Sequence, residues 1–109
     1  MAYDEVLAGR VREHLAGHPA VTEKKMFGGI AFMVSGNMAV GVSGDELMVR
    51  VDPAEHETLL DQPGVRAFDL TGRGMKGWVL VAPESTTGAE ALDRWIELGL
   101  DFAGALPPK

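Results

Sequence analysis

Three consecutive antiparallel strands are predicted in the stretch KKMFGGIAFMVSGNMAVGVSGDELMVRV, which runs from Lys24 to Val51. Within it, three runs rich in Val, Ile, Phe and Met are each bounded by Gly, Asn, Asp or Ser. β-Branched and aromatic residues favour strands, and the bounding residues favour tight turns between them. The rest of the chain is therefore expected to pack against the sheet that this stretch forms.

Tight turns are predicted at two places in this stretch. One is a three-residue loop at Ser35-Gly36-Asn37, and the other is a two-residue turn at Gly44-Asp45. These turns set the register of the strands, and they predict the cross-strand pairs Val34 with Met38, Phe32 with Val40, and Val42 with Leu47.

Side-chain alternation divides these strands between two faces, because successive residues of a strand point to opposite sides. The bulky set is expected to face the helices: Ile30, Phe32, Val34, Met38, Val40, Val42, Leu47, Val49 and Val51. The opposite face is expected to carry Ala31, Met33, Ala39, Gly41, Met48 and Arg50. This second set is shallow and apolar, which is unfavourable to leave bare in water, so we expect it to be a contact surface.

The helices that cover the sheet are predicted from their caps. Asp4 is expected to cap a first helix whose apolar residues recur every four positions. Two segments, Asp52-Pro53-Ala54-Glu55 and Thr87-Gly88-Ala89-Glu90, have the pattern of a capping box. They predict a short second helix and a long amphipathic last helix.

Further strands complete the predicted sheet. A short one is expected near Lys24 to Phe27, and two later ones at Val65 to Leu70 and Trp78 to Val81, joined by a glycine-rich loop from Thr71 to Gly77. The predicted fold is therefore α+β and two-layered, with three helices on an antiparallel sheet of five to six strands. Its order is α-β-β-β-α-β-β-α, plus the short first strand.

Length and composition limit the class of protein. A chain of 109 residues with 46% hydrophobic and 24% charged residues fits one globular domain, so we predict a single domain over residues 1–109. The formal net charge of -6 opposes nonspecific nucleic-acid binding, whose affinity comes mainly from neutralised phosphates. The absence of cysteine excludes disulfides and thiolate zinc sites.

No secretion signal or membrane span is predicted. The segment from Met1 to Glu5 lacks the basic start and apolar core of a signal peptide, and no apolar run approaches the length of a span. We therefore expect a cytoplasmic protein that does not bind membranes.

The segment Gly72-Arg73-Gly74-Met75-Lys76-Gly77 matches the dinucleotide fingerprint G-x-G-x-x-G. That motif binds pyrophosphate only where a strand ends and a helix begins, and here a strand is predicted to follow instead. Two readings stay open: a glycine-rich hairpin loop, and a flexible loop whose amides, Arg73 and Lys76 hold an anion.

The histidines and serines form no metal or catalytic motif. His14 and His18 are four residues apart, as metal ligands on a helix are, but Pro19 disfavours helical geometry at the residue before it. No third ligand is evident, and no serine lies in a G-x-S-x-G elbow. The sequence therefore predicts no metal, no cofactor and no enzymatic activity.

Several segments together resemble the N-terminal domain of the TfoX/Sxy family. They are Lys24 to Gly29, Leu47 to Val51, Pro63 to Arg66 and, most specifically, Phe68-Asp69-Leu70-Thr71-Gly72-Arg73-Gly74-Met75-Lys76-Gly77-Trp78. The resemblance covers essentially the whole chain and implies a small two-layer α+β domain. Full-length TfoX/Sxy proteins regulate natural competence together with the cyclic-AMP receptor protein. They also carry a C-terminal helical domain, and this chain is expected to be a stand-alone N-terminal domain without it.

These observations and the resemblance predict a nonenzymatic cytoplasmic regulatory or adaptor domain that acts through protein–protein contacts, in transcription or competence regulation. The residues expected at its binding surface are Lys24, Lys25, Phe27, Gly28, Gly29, Arg73, Met75, Lys76, Gly77 and Trp78. For Phe27 and Trp78, a place in the ordinary core is the competing prediction.

Three alternatives stay open at the level of sequence. The first is a nucleic-acid-associated protein that uses Lys24, Lys25, Arg73 and Lys76 as a local basic patch. The second is a small-molecule-binding domain, which would need a concave pocket. The third is a homodimer formed through the face that carries Ala31, Met33 and Ala39.

Overall fold

The computed structural model describes residues 4–16, 18, 20–26, 29–69 and 74–107. The helices and strands are, in chain order, α1 (Glu5–Leu15), β1 (Val21–Met26), β2 (Gly29–Val34), β3 (Asn37–Ser43), β4 (Glu46–Arg50), α2 (His56–Leu60), β5 (Val65–Asp69), β6 (Gly74–Val81) and α3 (Ala89–Gly104). Short 3₁₀ turns at Pro53–Glu55 and Pro83–Ser85 precede α2 and α3. The predicted α+β fold is confirmed.

The six strands form one antiparallel sheet in the order β1-β2-β3-β4-β6-β5. The first four strands are neighbours in sequence order, whereas β6 lies between β4 and β5. No helix among the described residues is long and apolar enough to cross a membrane.

The helices pack on one face of the sheet, as the alternation of side chains predicts. That face contributes Ile30, Phe32, Val34, Val40, Val42, Leu47, Val49, Val51, Val79 and Val81 to the core. The helices meet them with Leu7, Val11 and Leu15 of α1 and with Leu92, Trp95, Ile96 and Leu100 of α3. Each such side chain contributes about 1.5–3 kcal/mol when it is fully buried, so this layer supplies most of the stability.

The N-caps predicted at Asp4 and Asp52 are confirmed, but the Glu55 side chain does not accept from the Asp52 N–H, as the capping box predicted at residues 52–55 requires. The carboxylate of Asp4 accepts hydrogen bonds from the N–H groups of Val6 (2.9 Å) and Leu7 (3.2 Å). Asp52 accepts from the N–H of Ala54 at 2.9 Å and begins the 3₁₀ turn that leads into α2. Satisfying these otherwise unpaired amides fixes where the helical segments start.

The capping box predicted at residues 87–90 is wrong. The N-cap residue of α3 is Gly88, and no side chain caps the helix. The hydroxyl of Thr87 instead donates to the carbonyl of Pro83 at 3.1 Å, which takes it away from the helix amides.

The loop predicted at Ser35-Gly36-Asn37 is one residue too long. The turn consists of Ser35 and Gly36, whose φ angles of 50° and 86° are both positive, as a type I′ hairpin turn requires. Asn37 belongs to β3 and pairs with Val34. The predicted pair of Val34 with Met38 is therefore wrong.

A bulge in β3 then corrects the register. Met33 pairs with Met38 but Phe32 pairs with Val40, so Ala39 is an extra residue in β3. The predicted pairs of Phe32 with Val40 and of Val42 with Leu47 are confirmed, as is the Gly44-Asp45 turn.

The same bulge changes the faces of two residues. Met38 was predicted among the helix-facing residues, but it lies on the opposite face, where its terminal methyl group packs next to Gly41. Ala39 was predicted on the opposite face, but it belongs to the core beneath the helices.

The outer strands differ from the prediction at their ends. β1 begins at Val21, before the predicted start, and ends at Met26. β6 begins at Gly74, because Gly74 pairs with Asp69 of β5 and extends the ladder into the predicted loop. Residues 74–77 are therefore strand, and residues 70–73 lie outside the described part of the chain.

Charged side chains of α1 form contacts with β1 and with α3. Arg12 makes two hydrogen bonds of 2.8 Å to Glu23 of β1, and the guanidinium lowers the pKa of that carboxyl. The ring nitrogens of His14 lie 2.8 Å from Asp93 and 2.7 Å from Glu97, both on α3. Carboxylates only accept hydrogen bonds, so this geometry fits an imidazolium, and the hydrogen bond to Glu97 is the main cause that raises the pKa of His14.

Two glycine-to-alanine changes should shift stability in opposite directions. A Cβ added at Gly99 would lie 2.6 Å from the Ala39 carbonyl oxygen and 2.8 Å from Val40, so Gly99→Ala should lower the free energy of unfolding by about 1–3 kcal/mol. A Cβ at Gly9 meets nothing within 4 Å, so Gly9→Ala in α1 should raise it by about 0.5–1 kcal/mol. Urea denaturation of the two variants measures both. A stabilised Gly99→Ala protein would contradict the close approach of α3 to the bulge.

The His14 contact should make stability depend on pH. Because the pKa of His14 is raised in the folded state, its contribution is present below the unfolded value of about 6.5 and is lost as the pH rises through the folded pKa. At pH 6, His14→Gln should cost about 0.5–1 kcal/mol, since both partner carboxylates are more than half exposed. At pH 9 the cost should disappear.

A double-mutant cycle isolates this contact. His14→Gln is combined with Asp93→Asn/Glu97→Gln, and unfolding free energies are measured by urea titration at pH 6 and pH 9. Coupling of equal size at the two pH values would contradict the charged state of the imidazole.

Candidate functional site

The face of the sheet that lies opposite the helices carries a continuous row of side chains. Register places one residue from each of the six strands in this row, in the order Lys24, Ala31, Gly41, Met48, Leu80 and Arg66. The row has a cation at each edge and small or apolar residues between them. We call this side of the sheet the second face.

Methionines cover the centre of the second face. Met33 and Met38 form a cross-strand pair next to the row. A Cβ added at Gly41 would lie 2.8 Å from the terminal methyl of Met38 and 3.2 Å from that of Met48, so the two methionines fill the space above this glycine.

The second face has its own buried residues, separate from the core under the helices. Ala31, Met48 and Leu80 are only 0%, 6% and 5% exposed, yet none belongs to the cluster that packs against α1 and α3. Met33 and Met38 above them are half-buried. Among the described residues, no helix contributes to this layer.

A charged contact crosses the second face at one edge. Arg66 of β5 reaches across β6 to Glu46 of β4, and its Nε donates to a carboxylate oxygen at 3.1 Å while Nη2 donates to the other oxygen. This pairing raises the pKa of Arg66. The positive charge at this edge is therefore already balanced by a carboxylate of the same face.

Arg50, Trp78 and Phe102 form a second polar feature, at the end of β4. Arg50 and Trp78 are directly opposite each other on β4 and β6, and both are half-buried. The guanidinium carbon of Arg50 lies 5.3 Å from the centre of the Trp78 ring and 5.7 Å from that of Phe102 on α3. Both distances fit cation–π contacts, which are attractive because the ring faces carry negative charge density.

The predicted binding residues that the structure describes lie on several strands of the sheet. Lys24 and Lys25 are exposed on β1, and Lys24 points to the second face whereas Lys25, opposite Ile30, points to the other. Lys76 belongs to β6, which is four strand spacings away from β1, or about 19 Å. The strands therefore do not bring the two ends of the predicted basic patch side by side.

The predicted glycines have structural roles where they are described. Gly29 is buried against the backbone of Val42, and a side chain there would collide with it. Gly77 is buried with φ of 92°, and its N–H donates to Nδ1 of His56 at 3.3 Å. Met75 and Lys76 lie in β6, and Phe27, Gly28 and Arg73 lie outside the described residues.

Two of the three histidines, His14 and His56, make side-chain contacts within the domain. His14 faces two carboxylates, and His56 is 5% exposed and accepts a hydrogen bond from the N–H of Gly77. Across residues 4–16, 18, 20–26, 29–69 and 74–107, no group of three or more His, Cys, Asp or Glu residues is arranged to hold a metal ion.

Two residues of the candidate site, Leu80 on the second face and Phe102 on α3, were not predicted from sequence. Leu80 was not predicted there, although it alternates with Val79 and Val81, which is a signal that could have found it. Phe102 lies on the predicted last helix, and its contact with Arg50 follows from tertiary structure alone. Trp78 was predicted as a binding residue, with core as the alternative, and it lies outside the helix-packed core.

Two comparisons with known proteins agree with this fold. The profile of the TfoX N-terminal domain family matches residues 13–103. A crystal structure of a protein from Pseudomonas syringae, a Northeast Structural Genomics Consortium target, is similar with a TM-score of 0.62 and 15% sequence identity, over 87% of this chain and 97% of that chain. At this identity the likeness shows the fold alone.

A search of curated proteins finds no match. The family profile nevertheless spans residues 13–103 of 109, from within α1 to the last turn of α3. The chain belongs to the TfoX N-terminal domain family.

Proposed function

We propose that this domain is a nonenzymatic cytoplasmic regulatory or adaptor module that binds another protein through the second face of its sheet. The observation that carries the proposal is the methionine-rich layer on that face, formed by Met33, Met38 and Met48 around Gly41. The described helices all pack on the other side of the sheet, so none of them covers this layer, and Met33 and Met38 remain partly exposed on it.

The chemistry of the layer suits protein recognition. Methionine is unbranched and polarisable, so its side chain adapts to a partner of irregular shape. Met38 and Met48 fill the space above Gly41, and rotation of their side chains would open a notch that reaches the backbone. Such a surface supports binding through repacking of side chains, without movement of the sheet.

The size of the face indicates what kind of element fits it. Six strands at about 4.8 Å spacing and about five residues of length give an area of roughly 24 by 17 Å, or about 400 Å². A helix with its side chains is about 10 Å wide and would cover most of the apolar centre. One helix or a short hairpin of the partner is therefore the expected ligand.

Family membership supports a regulatory role. The TfoX/Sxy proteins that the sequence resembles regulate competence, and a role in transcription or competence regulation is the corresponding proposal for this chain. Lys24 and Trp78, two residues expected at the binding surface, lie on the second face and would contact the rim of the partner.

A nucleic-acid partner is less well supported. Nonspecific binding of nucleic acid needs several neighbouring cations. Lys24 and Lys76 lie on strands separated by about 19 Å, and Arg66 is already paired with Glu46. The net charge of -6 also opposes it.

Substitutions on the second face should abolish partner binding. The tagged domain is used to capture partners from the native cell, and the affinity of an identified partner is then measured by calorimetry. Met33→Glu and Met38→Glu each place a charge in the apolar layer, so each should weaken binding at least ten-fold, because a buried unpaired charge is costly. Thermal melting followed by circular dichroism shows whether each variant is folded.

Val6→Glu is the matched control. Val6 on α1 is 75% exposed and lies on the helix side of the domain, so the same type of charge placed there should change the affinity by less than two-fold. Equal binding by all three folded variants would rule out the second face as the binding site.

A further inference from the structure

Arg50 differs from Arg12 and Arg66 in the groups that its guanidinium contacts. Arg12 and Arg66 each make two hydrogen bonds to a glutamate, Glu23 and Glu46 respectively. Arg50 is half-buried at the end of β4, and no carboxylate of the described residues lies within 4.0 Å of it. It is held instead by the rings of Trp78 and Phe102.

The ring contacts position the charge without neutralising it. A guanidinium over an aromatic face is attracted to the ring, but the contact uses none of its N–H donors. Arg50 therefore keeps a planar set of five donors, fixed in place by Trp78 and Phe102. This fork matches the two oxygens of a carboxylate, and the partial burial of Arg50 between the two rings strengthens the attraction.

We infer that Arg50 receives a carboxylate from the protein partner, carried by an Asp or Glu side chain within an otherwise apolar segment. This inference rests on the proposed function, because it specifies the partner that the second face recognises. The apolar residues of the segment would cover Met33, Met38 and Met48, and its single acid would meet Arg50.

The charges of the second face favour one acidic group over a polyanion. Of the other described cations on that face, Arg66 is balanced by Glu46, and Lys24 lies on the opposite edge strand. Among the described side chains of that face, one unbalanced guanidinium fits one carboxylate, whereas a nucleic-acid strand would need a series of cations along its phosphates.

A second copy of this chain does not supply the carboxylate through the same face. In a two-fold dimer the second face of one copy would meet the second face of the other. The acid that the described residues provide on that face is Glu46, and it is already bound to Arg66. The partner is therefore a different protein.

Paired peptide pools test the inference directly. Each pool contains eleven-residue peptides, acetylated and amidated at the ends, with random Leu, Met, Phe, Ala and Ser around the centre. The central residue is Glu in one pool and Gln in the other, so the only carboxylate is the one under test. Fluorescence polarisation with wild type should give at least ten-fold tighter binding of the Glu pool.

Two variants with the same change in net charge show whether the preference for the Glu pool depends on Arg50. Arg50→Met should bind both pools equally, because the guanidinium is lost while an apolar side chain remains. Arg94→Met should keep the preference for Glu, since Arg94 is exposed on α3 and is not part of the second face. In the wild-type protein, the Nε–Hε nuclear magnetic resonance signal of Arg50 should shift with the Glu pool and not with the Gln pool. This measurement does not need the variant, so it tests the inference even if Arg50→Met is unfolded.

The outcomes separate this inference from the proposed function. Wild-type binding of both pools with equal affinity would overturn the role of Arg50 and leave the second face as a protein-binding surface. Binding of neither pool would also overturn it, while the captured partner and the Met33 and Met38 variants test the face independently. A wild-type dimer that Arg50→Met dissociates would show that the carboxylate comes from another copy, against the separate partner.

Discussion

The extra residue in β3 determines which side chains meet the helices and which face outward. A type I′ turn at Ser35-Gly36, continued without interruption, would pair Phe32 with Ala39 and turn Val40 and Val42 away from the core. The bulge inserts Ala39 and returns both valines to the helix side. α3 is shaped to this irregularity, because Gly99 lets the helix approach the Ala39 carbonyl. The division of the sheet into two unlike faces depends on this local geometry.

Much of the architecture follows from periodicity, because a period of two in Ile30, Phe32 and Val34 fixes a face whatever lies beyond it. The bulge could not be predicted, because Met38 and Val40 are both apolar and fit either side. The start of β6 was also missed, because glycines at residues 74 and 77 are typical of loops and only pairing with β5 makes them strand.

The candidate site was predicted less completely than the fold. Arg50 and the small residues around Gly41 were assigned to the outward face from alternation alone. Trp78 and Leu80 are neighbours of these residues only because β6 pairs with β4 and leaves β5 at the edge of the sheet. This strand order depends on contacts between segments distant in sequence, which local sequence patterns do not predict. The predicted basic patch stays a prediction, because Arg73 lies outside the described residues and the strands settle only from which backbone positions Lys24, Lys25 and Lys76 begin.

Residues near both ends of the described chain form hydrogen bonds with residues at the two ends of β3. At one end, the buried Asn37 side chain donates to the carbonyl of Pro107 at 2.9 Å, beyond the last turn of α3. At the other, the N–H of Asp4 donates to the carbonyl of Gly44 at 2.6 Å. A protein cut to the limits of the family match, residues 13–103, would lose both hydrogen bonds, and the buried side-chain amide of Asn37 would lose its acceptor. A fragment limited to the family match would therefore lack the contacts that hold β3 at both of its ends.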